Sequence, residues 1–170
     1  MAYLSFKVPF EAAEKLSGLY ADGDVTDPAD MHITVAFLSK NMPPEQVIRA
    51  IAACYSVARM TAPFAVHAAL LTSFPPNPSY REGVPVIVRV LSDALHSFQA
   101  RVCSELDRFG VEYSRLHPEY KPHVTLSHGP ERVAPQKIEP VSWICSHLMI
   151  WGGDDHFKGL FAGVELAGRL

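Results

Sequence analysis

The composition of this 170-residue chain limits the kinds of protein it can be. Its residues are 48% hydrophobic and 19% charged, with a formal net charge of −3, which is typical of one compact domain and excludes global disorder. Proteins that bind long duplex nucleic acid usually carry a basic field, and none is visible here. The three cysteines lack CxxC spacing, so no zinc ribbon or disulfide framework is indicated. The absence of a signal-peptide pattern and of any run of ~20 apolar residues predicts a cytoplasmic protein without membrane contact.

Strands and helices alternate in the first half of the chain. An apolar, β-prone run ends at Pro9, which suits the first turn of a helix. Pro43-Pro44 opens a second helix, whose apolar residues at helical spacing are Val47, Ile48, Ile51 and Cys54 or Tyr55. The predicted elements are a strand over 2–8, a helix over 9–20, a strand over 31–38, a helix over 43–60 and a strand over 63–74.

The second half repeats this order after a proline-rich segment, 75–83, which we interpret as the boundary between two lobes. Ser92 is a candidate N-cap and Gly110 a candidate stop for the helix between them. The predicted elements are a strand over 84–91, a helix over 92–109 and strands over 122–127, 143–151 and 159–166. Strands and helices in this order predict one α+β domain over 1–170 with two sheet-and-helix lobes.

The most informative pattern is His-x-Thr, which occurs at His32/Thr34 and again at His123/Thr125. With eight histidines and five threonines in the chain, chance predicts about 0.24 occurrences. Both copies lie in apolar strands, MHITVAFL and PHVTLS, at equivalent places in the two halves. A coincidence of histidines in or beside the core is therefore the weaker interpretation.

Strand geometry gives the spacing a physical meaning. Because side chains alternate along a strand, His32 and Thr34 project from one face while Ile33, Val35 and Phe37 project from the other. The same rule places His123, Thr125 and Ser127 on one face and His128 on the opposite face. Each strand would thus be anchored on its apolar side and present an imidazole and a hydroxyl together on the other.

The two strands resemble the paired hydrophobic-His-x-Thr-hydrophobic motifs of the two-histidine phosphoesterase superfamily. That group includes bacterial RNA-ligase-like proteins, 2′,3′-cyclic phosphodiesterases, 2′,5′-phosphodiesterases and viral nucleases that destroy cyclic oligonucleotide signals. The resemblance covers the whole chain in element order, whereas similarity of letters is confined to the motifs. It implies a bilobal α+β fold with two pseudo-symmetric lobes around a central cleft, without metal or cofactor.

The chemistry expected of such a pair follows from imidazole itself. Because imidazole ordinarily titrates near pH 6.5, one histidine can be neutral and its partner protonated at working pH. The neutral one takes a proton from water or a ribose 2′-hydroxyl, and the charged one protonates the departing oxygen. Thr34 and Thr125 would donate hydrogen bonds to non-bridging phosphate oxygens. Which of His32 and His123 is acid and which is base stays open.

Residues that bind the rest of a substrate are expected among the aromatic and cationic side chains. A nucleobase usually stacks on an aromatic or guanidinium plane, and the proline-rich loop could cover the cleft. The candidate substrate-binding residues are Tyr3, Tyr80, Arg81, Tyr120, Lys121 and Trp151. For each of them, core packing or surface charge is the competing interpretation.

A metal site is the competing interpretation of the two histidines. It would need further ligands, and the acidic segment Asp154, Asp155 and His156 is the one that could supply them. This segment follows Gly152-Gly153 and is typical of a solvated turn. We therefore expect no metal.

The sequence thus predicts a metal-independent phosphodiesterase that acts on a nucleotide or a short oligonucleotide. The linkage could be 2′,3′-cyclic, 2′,5′ or that of a cyclic di- or trinucleotide, and we expect a monomer. Two alternatives remain: a non-catalytic module that sequesters a phosphorylated nucleotide, and an ATP-independent RNA ligase. A nucleoside-triphosphate-binding motif is not visible in the sequence.

Overall fold

The computed structural model describes residues 2–40, 42–75, 77, 83–116, 119–153 and 158–168. The helices are α1 (Phe10–Ser17), α2 (Pro44–Ala58) and α3 (Asp93–Arg108), with a short 3₁₀ turn at Pro28–Asp30. The strands are β1 (Tyr3–Lys7), β2 (Asp24–Val25), β3 (His32–Phe37), β4 (Phe64–Ser73), β5 (Val84–Leu91), β6 (His123–Gly129), β7 (Gln136–Cys145), β8 (His147–Gly153) and β9 (Lys158–Glu165). The mixed composition confirms the predicted α+β class.

The strands form two antiparallel sheets with corresponding orders. One is four-stranded, β3-β1-β8-β9, and the other is five-stranded, β2-β6-β5-β4-β7. In each, the strand that carries His-x-Thr pairs with the first strand of its half, β1 or β5, and two further strands follow. Apart from the short β2, the two sheets are therefore arranged alike, as the resemblance implies.

The boundary between the lobes does not fall at 75–83, contrary to the prediction. The strands on either side of this segment, β4 and β5, are antiparallel neighbours in one sheet, so the proline-rich segment connects two strands within a lobe. Proline and glycine mark a turn without indicating whether it separates two lobes or two strands. The predicted strand over 143–151 was also wrong, since β7 ends at Cys145 and β8 begins at His147.

The ends of α3 are set by the residues that flank it. At α3, the Ser92 hydroxyl accepts a hydrogen bond from the Leu95 amide at 3.2 Å, as predicted for an N-cap. Gly110 follows the helix with φ of 64°, a conformation that glycine adopts at little cost.

One continuous core joins the helices to the apolar faces of both sheets. Phe6 of β1, Phe64 of β4 and Phe98 of α3 pack ring to ring, with centroids 5.2–5.7 Å apart. In α2 the predicted apolar face was partly wrong, because Ile48 and Tyr55 are 67% and 60% exposed. Cys54, the predicted alternative to Tyr55, is buried, and the other buried residues of the helix are Ala50, Ala53, Val57 and Ala58.

Among the described residues, none of the helices is both long enough and apolar enough to cross a membrane.

Candidate active site

The fold brings the two strands that carry the His-x-Thr motifs close together. Strands β3 and β6 belong to different sheets, yet their Cα atoms approach within 8 Å. The two histidines and the two threonines are each half-buried, while the residues between them, Ile33 and Val124, are fully buried. The predicted alternation therefore holds within both motifs.

Each motif ends in a β-bulge at the same position. On β3, Thr34 pairs with Ser5 and Ala36 with Leu4, which leaves Val35 as the extra residue. On β6, Thr125 pairs with Ile87 and Ser127 with Val86, so that Leu126 is the extra residue there. A bulge bends the strand and increases its twist. The residue after each threonine thus turns the strand away from the motif.

The bulges overturn the faces predicted beyond the threonines. Ser127 is fully buried, and its hydroxyl donates to the backbone carbonyl of Asp22, so it does not share the face of Thr125. Because Leu126 and Ser127 are both buried, the alternation of faces is inverted beyond them. His128 therefore lies on the same face as His123 and Thr125. The alternation rule assumes that every residue of a strand pairs with one on the neighbouring strand. The residues near the motifs do not indicate where a bulge adds an unpaired residue.

Both motif histidines are held by the same backbone contact. Nδ1 of His32 lies 2.7 Å from the carbonyl oxygen of Asp30, and Nδ1 of His123 lies 2.7 Å from that of Lys121. Because a carbonyl can only accept, Nδ1 must carry a hydrogen in both rings. The neutral form of each ring is then the Nδ1–H tautomer, and Nε2 is the nitrogen that exchanges a proton.

A cation faces each histidine on the neighbouring strand. Lys7 of β1 pairs with His32, and Arg89 of β5 pairs with His123. Side chains of directly paired residues lie on one face, with Cβ atoms about 4.5–5.5 Å apart. The Nε atom of Arg89 is buried without a hydrogen-bond partner among the described residues. Each histidine therefore has a cation beside it although the chain has a net charge of −3.

The aromatic surroundings of the two histidines differ. The Tyr3 ring stacks on His32 with centroids 5.1 Å apart, and it also stacks on Trp151 at 6.4 Å and 18° between planes. Burial and, to a smaller extent, the Asp30 carboxylate raise the pKa of Tyr3. On the other side, Phe74 presents a ring edge-on to His123 at 4.7 Å. A flat aromatic shelf, Tyr3 and Trp151, thus lies on the His32 side.

The structure places the other predicted substrate contacts differently. The Tyr120 hydroxyl donates to the Thr34 carbonyl oxygen at 3.0 Å, so this side chain links the motifs. Lys121 forms an exposed ion pair with Glu119 at 2.9 Å. Tyr80 and Arg81 lie outside the described residues.

No group of three potential metal-binding side chains is found in the described part of the chain. The acidic segment that could add ligands, Asp154 to His156, lies outside that part.

Three residues of the site were missed by sequence reasoning: Lys7, Arg89 and Phe74. Lys7 and Arg89 each stand in an apolar strand, and a charge interrupting such a strand was a signal that could have been used. Their positions opposite the histidines depend on strand register, which the sequence does not show.

Comparison with known proteins identifies the family of the chain. A family model described as the 2′-5′ RNA ligase superfamily matches residues 8–156. No curated protein matches the chain in sequence.

Several solved structures share the fold at low sequence identity. TT0787 of Thermus thermophilus superposes with a TM-score of 0.79 at 16% identity, covering 99% of both chains. A protein described as a phosphoesterase gives 0.71 at 14% identity, covering 99% of this chain and 98% of its own. LigT of E. coli, in complex with 3′-AMP, gives 0.69 at 14% identity, covering 97% of both.

Two similar sheets with a His-x-Thr strand in each define the two-histidine phosphoesterases, as the motifs predicted. The chain belongs to the 2′-5′ RNA ligase superfamily of this class. It is therefore a phosphoesterase-type enzyme.

Proposed function

We propose that this protein is a metal-independent phosphodiesterase that hydrolyses a nucleotide or short oligonucleotide by acid–base catalysis with His32 and His123. One observation carries the proposal: both imidazoles are held through Nδ1 by a backbone carbonyl two residues earlier in the chain. This contact fixes the same neutral tautomer in both motifs, so Nε2 is the basic nitrogen of each ring. A structural histidine in one motif would not need to repeat the tautomer of the other.

The proposed reaction is an in-line displacement at phosphorus. One histidine takes a proton from water while the water oxygen attacks phosphorus. The bond between phosphorus and the leaving oxygen breaks, and the other histidine protonates that leaving oxygen. When a ribose 2′-hydroxyl attacks instead, a cyclic phosphate forms first. Each histidine is expected to contribute about 10²–10⁴ in rate.

The negative charge on the phosphate needs stabilisation in the transition state. Thr34 and Thr125, beside the histidines, would donate hydrogen bonds to the non-bridging oxygens. Lys7 and Arg89 add positive charge from the neighbouring strands. These groups supply charge stabilisation from side chains of the protein itself.

The shelf formed by Tyr3 and Trp151 supports a nucleoside as part of the substrate. Its rings lie at 18° to one another beside His32, and an aromatic plane accepts any base. E. coli LigT, which shares the fold, has been solved with 3′-AMP and with phosphate. A 2′,3′-cyclic nucleotide, a 2′,5′-linked oligonucleotide and a cyclic di- or trinucleotide all fit these requirements.

Two other functions would use the same fold. A module that only sequesters a phosphorylated nucleotide would need cations and an aromatic shelf, yet it would not need two imidazoles in the same tautomer. An ATP-independent RNA ligase would run the same chemistry in reverse, with a 5′-hydroxyl attacking a cyclic phosphate. We favour hydrolysis because water is the more abundant nucleophile.

The test is to incubate the protein, in EDTA, with a panel of phosphodiesters and to resolve the products by mass. The panel holds 2′,3′-cyclic mononucleotides, 2′,5′-linked dinucleotides and 3′,5′-cyclic di- and trinucleotides. We expect one class to be cut by the wild type and not by His32→Ala/His123→Ala. His147→Ala, an exposed histidine at the start of β8, is the matched control.

Tight binding of a nucleotide without any product would favour the sequestering module. Formation of a longer chain from two RNA ends would favour the ligase. Cleavage that EDTA abolishes and zinc restores would contradict the metal-free mechanism.

A further inference from the structure

A row of side chains crosses the five-stranded sheet from the second motif. His123 of β6 pairs with Arg89 of β5, Arg89 pairs with Leu70 of β4, and Leu70 pairs with Lys137 of β7. Directly paired residues project from the same face of a sheet. The face that carries the second motif therefore also carries two cations, one on the neighbouring strand and one at the sheet edge.

This face of the sheet is open. Lys137 is exposed, and Leu91, two residues beyond Arg89 on the same face of β5, is 55% exposed. Next to them, His67 Nδ1 lies 2.8 Å from the Ser142 hydroxyl, also at the surface. The row is thus bordered by accessible apolar and polar side chains that a ligand can contact.

Neither cation of the row is neutralised by an ion pair among the described residues. Glu119 is close enough to interact electrostatically with Arg89, but its own ion pair is with Lys121. The pKa of the Glu119 carboxyl is lowered chiefly by Lys121 and to a smaller extent by Arg89 and His96. Arg89 in addition has its buried Nε without a hydrogen-bond partner among those residues. The row therefore has positive charge available for an anion.

We infer that the outer end of this row, at Lys137, binds a backbone phosphate of the substrate chain beyond the phosphate that is cut, which lies at His123 and Arg89. Strands lie about 4.8 Å apart, so Lys137, three strands from His123, is about 14 Å away. A mononucleotide in the cleft does not reach that far, whereas a short oligonucleotide does. The inference rests on the proposed function and narrows its substrate to a short single-stranded oligonucleotide.

The charge of the whole molecule fits a short chain better than a long one. Two cations on one sheet face can hold a few phosphates, while a net charge of −3 repels a long polyanion elsewhere. Leu91 offers apolar surface to a base lying beside the row.

The test compares substrates that differ only in length. Two series are used. The first compares adenosine 2′,3′-cyclic phosphate with a tetra-adenylate that ends in the same cyclic phosphate, and the second compares 2′,5′-linked di-adenylate with 2′,5′-linked tetra-adenylate. We expect the longer member of the series that is cut to have a kcat/KM at least about five-fold higher at low salt. The variant is Lys137→Met, with Lys15→Met, an exposed lysine of α1, as the matched control.

Salt dependence separates phosphate binding from a structural role. Each phosphate contact with a single strand contributes about −0.7 to the slope of log affinity against log salt. Lys137→Met should reduce the length advantage and make the slope for the longer substrate shallower by about 0.7. Lys15→Met should change neither, and equal urea midpoints would show that both variants are folded.

The inference would be overturned if long and short substrates had equal kcat/KM, and if Lys137→Met changed neither this ratio nor the salt slope. The proposed function would then remain intact. If these series and cyclic di- and trinucleotides in the same assay all stay uncut, the proposed function falls and this inference with it.

Discussion

The hydroxyl of Tyr120 donates a hydrogen bond to the backbone carbonyl oxygen of Thr34 at 3.0 Å. Tyr120 precedes the second motif by three residues, and Thr34 belongs to the first, so one side chain connects the strands that carry them. The His96 ring packs edge-on against Tyr120 with centroids 5.4 Å apart. We expect this contact to help set the distance between the two histidines.

Removing this hydroxyl should impair turnover more than binding. In Tyr120→Phe the ring remains, but the Thr34 carbonyl loses its donor, at a cost of about 0.5–1.5 kcal/mol in stability. A small displacement of one histidine from the other lowers kcat steeply, and we expect a loss of about ten-fold with KM little changed. Steady-state kinetics on the substrate found by the panel measures this.

Tyr113→Phe is the control for that experiment. Its hydroxyl donates to the Asp107 carboxylate at 3.3 Å at the surface and bonds to neither motif. An equal fall in kcat for both variants, or a change confined to KM in Tyr120→Phe, would show that Tyr120 does not position the motifs.

Stability should fall at alkaline pH because of the same tyrosine. Burial raises the pKa of Tyr120 far above its ordinary value of 10. Above pH 10 the unfolded chain therefore loses this proton while the folded protein keeps it, so the contribution of Tyr120 to stability is present below pH 10 and is lost as pH rises. The loss amounts to about 1.4 kcal/mol per pH unit.

Urea unfolding at pH 8 and pH 11 measures this effect as a difference between two proteins. Wild type should be the more stable at pH 8, and its advantage over Tyr120→Phe should shrink by about 1.4 kcal/mol at pH 11. The buried thiols of Cys54 and Cys145, whose pKa burial raises to about 12, contribute equally to both proteins. A constant difference across this range would contradict the burial of Tyr120.

The aromatic shelf should contribute to substrate affinity. Tyr3→Leu removes a ring that stacks on both His32 and Trp151, and base stacking is worth about 1–3 kcal/mol. We expect KM to rise about ten-fold or more. Tyr3→Phe keeps the ring and should retain near-wild-type KM. If Tyr3→Leu has the KM of wild type, the base does not bind there.

Local patterns in the sequence were enough to predict much of this structure. The strands with His32 and His123 lie where their apolar residues placed them. Ser92 caps α3 through its hydroxyl, and Gly110 follows the helix with a positive φ, as predicted. These features depend on residues within a few positions of one another. The two His-x-Thr motifs could be recognised for the same reason.

Features that depend on pairing between distant strands could not be predicted. Arg89 faces His123, and Lys7 faces His32, only because of the register of β5 with β6 and of β1 with β3. The bulge at Leu126 likewise depends on the partner strand, and without it the face of His128 was wrong. The assignment of β4 and β5 to one sheet is a matter of topology, which the sequence between them does not reveal.

The pH dependence of kcat/KM in EDTA tests the central claim most directly. The substrate is the one cut in the panel, and the proteins are wild type, His32→Ala and His123→Ala. We predict a bell-shaped profile for wild type. One alanine variant should lose the acidic limb and the other the alkaline limb, and kcat/KM of each variant should be lower than wild type by about 10²–10⁴. A bell that persists in either variant, or activity that requires added metal, would contradict paired acid–base catalysis by the two histidines.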